Sequence, residues 1–256
     1  YLLLVHTDVG SSTMTRRLVT PDAEHAAHTA AALVNDLLSS RLAETDTVHL
    51  ALAGGTTPRR AYELLATLRT DWTGIHLWFG DERIVALESP EANALMVNDA
   101  LVQPAGIPPS QVHLVPTDLG PAGASDAYAD ELHKLLPRDA AGMPVLDIAV
   151  LGLGEDGHTA SLFPGSPALH ASGRICVVVD DAPKPPPVRV TLTMAMLNAA
   201  NARILLATGM GKAAAVAAAV AGPDPRVPAS LLTTHGTTWI LDVAAAAALD
   251  LGDTSA

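Results

Sequence analysis

The chain has 256 residues, 49% hydrophobic and 16% charged, with a formal net charge of -12 at pH 7. Length and composition suit one globular domain with a core of aliphatic side chains, aromatics making up only 3%, and they exclude a disordered chain. The acidic balance argues against non-specific nucleic-acid binding, which needs a basic face, and makes any anionic ligand depend on a few locally placed cations.

In chain order, "YLLLV" is too short for a signal-peptide core, and no run reaches the roughly 18 uncharged apolar residues of a membrane span. "HTDVGSST" reads as polar linker, and Met14 is followed at once by a strand, a turn and a helix. Residues 1–13 are therefore expected to be a non-native or disordered extension, with Met14 the native start and 14–256 a single α/β domain. A genuine first strand at "YLLLV" is the alternative.

From Arg17 strand and helix alternate: "RRLV", a helix over 22–42, "VHLALAG", a helix opening at Pro58, "IHLWFGDE" and "LDIAVLGLG". Runs such as "LDIAVLGL" and "ARILLATG" are apolar on both faces, as expected of parallel strands covered by helices on each side. The expected fold is an open, doubly wound, mostly parallel α/β sheet of modified Rossmann-like type, with ligands at the carboxyl ends of its strands. The proline-rich stretch "DDAPKPPPVRVTLT" reads as a surface loop leading into a strand and able to act as a lid. The tail is expected to fray after Leu249.

Each chemical feature follows a strand. In "LAGGTTPRRAYELL" a strand ends at Ala53, Gly54 and Gly55 allow a tight fold, Thr56 and Thr57 offer hydroxyls and a cap, and Pro58 suits a first helical turn. Free N–H groups at that helix start can hold an anion such as phosphate, although an ordinary capped turn explains the loop alone. The lysine of a nucleotide P-loop is missing, which disfavours ATP. In "LWFGDERIV", Asp81, Glu82 and Arg83 form either a solvated turn or a site where Arg83 binds substrate oxygens, its pose fixed by a neighbouring acid.

Gly152, Gly154 and Gly157 in "LGLGEDGHTASLFPG" match the spacing of a dinucleotide-binding turn. Glu155 and Asp156 inside the turn would repel a pyrophosphate, and Pro164, Gly165 and Pro167 interrupt the helix that should follow, so the match is false and no dinucleotide cofactor is expected. What remains is a tight loop presenting Asp156 and His158, in which the carboxylate orients the imidazole and His158 takes a proton from water near neutral pH. Cys176 in "RICVVV" reads as a buried small hydrophobe, which fits a reducing, cytoplasmic setting. Arg189 and Lys212 each read alone as surface cations. Together with the "GGTT" loop they would neutralise a phosphate dianion. His25 and His28 lack a third ligand and read as solvated surface, so no metal is expected.

Taken in order, "LAGGTTP", "WFGDER", "LGLGEDGHTASLFPG", "RVTLTMAMLNAA" and "TGMGKAAAV" resemble the 6-phosphogluconolactonase family over nearly the whole chain from Arg17. That family belongs with glucosamine-6-phosphate deaminases. The resemblance implies hydrolysis of 6-phospho-D-glucono-1,5-lactone to 6-phosphogluconate in the pentose phosphate pathway, with no dissociable cofactor and a phosphosugar lactone as the partner. It implies catalytic roles for His158, Asp156 and Arg83, and substrate binding by Gly54, Gly55, Thr56, Thr57, Gly157, Arg189 and Lys212. Asn93 in "SPEANALMV" resembles the family's asparagine after "DER" and is expected to contact sugar hydroxyls. Thr56 stands where the family usually has serine, which keeps a hydroxyl. The rival deaminases carry an acid shortly after the histidine, as in "GHIAFNEPG", and "DEY" for "DER"; "GHTASLFPG" has no such acid. Sugar-responsive regulators of the same fold need a DNA-reading helix pair, for which the acidic N-terminal region offers neither room nor basic charge.

Overall fold

The computed structural model of the protein describes residues 4–7 and 16–250. Met14 and the tail after Asp250 lie outside the described residues. The strands are β1 (Leu4–Thr7), β2 (Arg16–Thr20), β3 (Val48–Leu52), β4 (Ile75–Phe79), β5 (Asp81–Arg83), β6 (Ile148–Gly152), β7 (Cys176–Val179), β8 (Arg189–Leu192), β9 (Ala202–Ala207) and β10 (Thr237–Asp242). The helices are α1 (Ala23–Leu42), α2 (Thr56–Leu68), α3 (Asn93–Val97), α4 (Gln103–Ala105), α5 (Gly120–Leu135), α6 (Met194–Ala199) and α7 (Ala213–Val220), with a π-helical turn, Asn98–Val102, joining α3 to α4.

A seven-stranded sheet runs in the order β1-β2-β10-β9-β6-β3-β4. Its pairings are parallel except at the edge, where β1 lies antiparallel to β2. β1 falls inside the segment read as an extension, so residues 4–7 are strand. β3 is buried throughout and β9 in all but its first residue, Ala202, the mark of strands covered on both faces. On one face α1 packs through Ala26, Ala27, Ala30, Ala31, Val34 and Leu38, and the four alanines let the helix approach the sheet closely. Asp22 starts that helix by accepting from the His25 N–H at 2.9 Å.

The chain adds β4 on one side of β3 and then crosses to add β6 on the other, so strand order reverses between β3 and β6. A crevice opens at the carboxyl ends of strands where the order reverses in this way. Two buried tyrosines fix the backbone there. The Tyr62 hydroxyl accepts from Ala53 N at 2.9 Å and donates to Ala53 O at 3.0 Å. Tyr128 does the same for Phe79, at 2.7 and 3.1 Å. Each hydroxyl satisfies a donor and an acceptor that the ladder leaves orphaned where a strand ends.

One expectation is corrected here. "IHLWFGDE" is not a single strand: the chain breaks at Gly80, and β5 belongs to a second, three-stranded antiparallel sheet, β5-β8-β7. Antiparallel pairing sets Arg83 directly opposite Arg189. Periodicity along one run cannot reveal a change of sheet.

Candidate active site

The crevice holds a cavity of about 330 Å³. Its wall includes Gly54, Gly55, Thr56, Thr57, Asp81, Arg83, Gly154, His158, Ala160, Lys184, Arg189, Thr208 and Lys212, which gathers most of the residues expected from the sequence.

The first wall is the loop after β3. Gly55 has φ 106°, a left-handed conformation open to glycine, and it forms the N-cap of α2. The helix thus opens at Thr56, two residues before the expected start at Pro58, and no threonine side chain caps it. Thr57 instead lines the cavity, its hydroxyl 3.1 Å from that of Thr208 on the loop after β9. Pro58 has no N–H and Arg59 N donates to Gly55 O at 3.2 Å, which leaves the N–H groups of Thr56 and Thr57, both on the cavity wall, at the end of the helix where the dipole favours an anion.

The loop after β6 carries the dyad. Gly154 N donates to His158 O at 2.8 Å and Gly157 N to Gly154 O at 3.0 Å, so the chain turns through Asp156 with Gly157 at φ 82°. Asp156 Oδ1 lies 2.5 Å from His158 Nδ1 and also accepts from the His158 N–H at 3.3 Å. Burial opposes charge on Asp156, but the charge of His158 and the hydrogen bonds from it prevail and hold the carboxyl below its ordinary range. An ionised carboxylate can only accept, so Nδ1 carries the proton and Nε2 keeps its lone pair. Burial lowers the affinity of His158 for a proton, and the opposing pull of Asp156 does not overcome it. The imidazole is therefore neutral near pH 7. A Cβ at Gly154 would lie 2.0 Å from His158 Nδ1 and 2.4 Å from Asp156 Oδ1, so glycine is needed to seat the dyad.

Phe163 packs on the His158 ring with centroids 4.5 Å apart, and the Arg189 guanidinium carbon sits 5.4 Å from the Phe163 centroid. Ala160, on the cavity wall, holds φ 49°, a costly conformation for a residue with a Cβ. The turn that contains it is bolted to the second sheet: Ser161 Oγ donates to Asp81 Oδ2 at 2.6 Å, and Ser161 N donates to Thr191 Oγ1 at 3.2 Å.

Four cations border the cavity: Arg83, Lys184, Arg189 and Lys212. Burial lowers the proton affinity of Lys212, with Glu155 opposing. The loop that carries Lys212 is fixed by Asp242, whose carboxylate oxygens both accept from Gly209 N at 3.0 Å. Arg189 is no surface cation; it is 4% exposed.

Three site expectations need correction. The pose of Arg83 is set by the Glu91 carbonyl, which accepts from Nη1 at 2.6 Å, and not by an acid side chain. Glu82 instead accepts from the backbone N–H groups of Arg83, Asn93 and Ala94, and burial pushes its carboxyl up to about 7. Asn93 lies behind the cavity wall, 2% exposed, with its amide donating to the Asp81 carbonyl at 2.8 Å and its oxygen filling the space beside Gly54. Gly157 also stands off the cavity, its carbonyl accepting from Ala229 N at 2.9 Å. The sequence reading missed Ser161, Thr208 and Lys184. Among the described residues no group of three or more His, Cys, Asp or Glu could hold a metal ion. His25 and His28 pair with Asp22 and Glu24 on the surface.

A sequence model of the family described as glucosamine-6-phosphate isomerases/6-phosphogluconolactonase matches residues 21–240. The chain is 43% identical over 185 residues to a 6-phosphogluconolactonase of Mycobacterium tuberculosis, covering 70% of this chain and 75% of that one. It is 36% identical over 243 residues to one of Streptomyces coelicolor, covering 89% and 92%. The solved 6-phosphogluconolactonase from Trypanosoma cruzi superposes with a TM-score of 0.85 at 29% identity, over 94% of this chain and 99% of that one. A monomeric glucosamine-6-phosphate deaminase, at 22% identity and a TM-score of 0.77, shares the fold. With family model, relatives and fold in agreement, the chain belongs to the glucosamine-6-phosphate isomerase/6-phosphogluconolactonase family.

Proposed function

We propose that the chain hydrolyses 6-phospho-D-glucono-1,5-lactone to 6-phosphogluconate. The observation that carries this is the pairing, on one cavity, of a carboxylate-oriented neutral imidazole with a ring of cations in a chain of net charge -12. His158 Nε2 takes a proton from water as the water oxygen attacks C1 of the lactone. Arg83 stabilises the oxyanion that forms on the carbonyl oxygen. As the tetrahedral intermediate collapses, the C1–O5 bond breaks and the imidazolium returns its proton to O5. Asp156 keeps the ring in the tautomer that this cycle requires.

The phosphate dianion is held by the first-turn N–H groups of α2, by Gly54, Gly55, Thr56 and Thr57, and by Lys212 and Arg189. No step calls for a redox cofactor or a metal. A reducing, cytoplasmic setting suits a doubly charged substrate and an unpaired cysteine, Cys176, which is buried and whose thiol burial pushes up to about 12. Among the described residues no helix is long and apolar enough to cross a membrane. The test is to generate the lactone freshly and follow acid release. The wild-type chain is expected to exceed the spontaneous rate by orders of magnitude, and a rate equal to the spontaneous one would refute the assignment.

A further inference from the structure

The chain has three lysines, Lys134, Lys184 and Lys212, and two of them stand on one cavity. Lys184 lies in the proline-rich loop before β8. Its side chain is exposed, and among the described residues its ammonium makes no ion pair, although Asp180 and Asp181 are close in sequence. In a chain this acidic, an unpaired lysine on the rim of a site rich in cations calls for an anionic partner.

The backbone beneath it is held rigidly. Arg189 donates from Nη2 to the Lys184 carbonyl at 2.8 Å and from Nε to the Pro186 carbonyl at 3.0 Å. Ala182 N closes the loop on Pro187 O at 3.1 Å, and the prolines restrict the backbone further. Arg189 itself is fixed from behind by Ser161, whose hydroxyl accepts from Nη1 at 3.4 Å. A loop tied down in this way is a fixed mount, in contrast to the lid that the proline run suggested.

We propose that Lys184 is a further substrate-binding residue, which meets the phosphate from its fixed place on the cavity rim, and that Arg189 is its positioning residue. This rests on the phosphosugar reading above and deepens it. Lys184 lies close enough to Lys212 and to His158 for its charge to be felt at both. A dianion drawn in between Lys212 and Lys184 relieves the repulsion between them, whereas an uncharged sugar does not. The exposed rim position makes the contribution of Lys184 sensitive to salt, and that of the half-buried Lys212 less so.

The experiment compares wild type, Lys184→Ala, Lys184→Arg, Arg189→Lys and the double variant Lys184→Ala/Arg189→Lys. Calorimetric titration with 6-phosphogluconate and with gluconate is run at low and at high salt. Lys184→Ala is expected to bind 6-phosphogluconate roughly 10-fold more weakly at low salt, with a smaller loss at high salt, while Lys184→Arg restores most of the affinity. In the Arg189→Lys background, removing Lys184 is expected to cost less than 3-fold, because the mount is already lost. Unchanged affinity in Lys184→Ala would overturn the proposal, as would an equal loss for gluconate. A full 10-fold loss in the Arg189→Lys background would overturn the positioning role. The titration needs no turnover, so a wild-type chain that failed to hydrolyse the lactone would defeat the catalytic reading and still leave this comparison decided.

Discussion

Asp156 Oδ1 and His158 Nδ1 stand 2.5 Å apart, two residues apart in the chain and on a turn that has no room for a side chain at Gly154. The contact fixes which imidazole nitrogen carries the proton, and burial keeps the ring neutral at working pH. Asp156→Asn removes the negative charge and lets the wrong tautomer form. Turnover is expected to fall at least 10-fold. The acid limb of the kcat/KM profile lies below 6.5 in wild type, since burial depresses His158. It should move further down in the variant, because the charge of Asp156 was raising it. Profiles of both proteins check this, and an acid limb shifted upward would contradict it.

The other end of the sheet supplies a test of stability. His49, 5% exposed, accepts from the Trp78 indole N–H at 3.1 Å, and burial pushes it down to about 4. The unfolded chain takes up that proton as pH falls below about 6.5, and the folded chain does not until about 4, so His49 erodes stability across this window. The erosion amounts to on the order of 3 kcal/mol. Glu82, pushed up to about 7, acts in the opposite sense and is unaffected by a change at His49. Urea unfolding of wild type and His49→Gln between pH 4 and 6.5 should show wild type losing relative stability as pH drops. A constant difference would refute it.

The repeated βα pattern and the strand-end loops were legible because buried parallel strands and glycine-rich turns leave contiguous signals, as in "LDIAVLGLG" and "LAGGTTP". The second sheet was not, because Asp81 to Arg83 pair with residues more than a hundred positions away. Asn93 illustrates the limit of motif reading. Its place after "DER" is as expected, but its side chain supports Gly54 from behind, which only packing reveals. Lys184 was obscured by its prolines, although the scarcity of lysine was itself a signal. The tyrosine hydroxyls at Ala53 and Phe79 left none, since a buried tyrosine and a buried phenylalanine share one pattern.

Lys212→Ala removes a half-buried cation from the phosphate end. Losing one partner of a charge-assisted hydrogen bond costs on the order of 1.5–3 kcal/mol, so phosphosugar binding should weaken roughly 10- to 100-fold. The plain lactone gains nothing from that cation, and the preference for the phosphorylated substrate should shrink accordingly. Steady-state kinetics on both lactones checks this. Equal losses would assign Lys212 to the fold or to the carbonyl chemistry.

The most direct test is His158→Ala, assayed by acid release from fresh 6-phospho-D-glucono-1,5-lactone with spontaneous opening subtracted. General-base help contributes about 10²–10⁴, so turnover should drop by about 100-fold or more while the unfolding transition stays close to that of wild type. Near-normal turnover under conditions where uncatalysed opening is slow would contradict the mechanism.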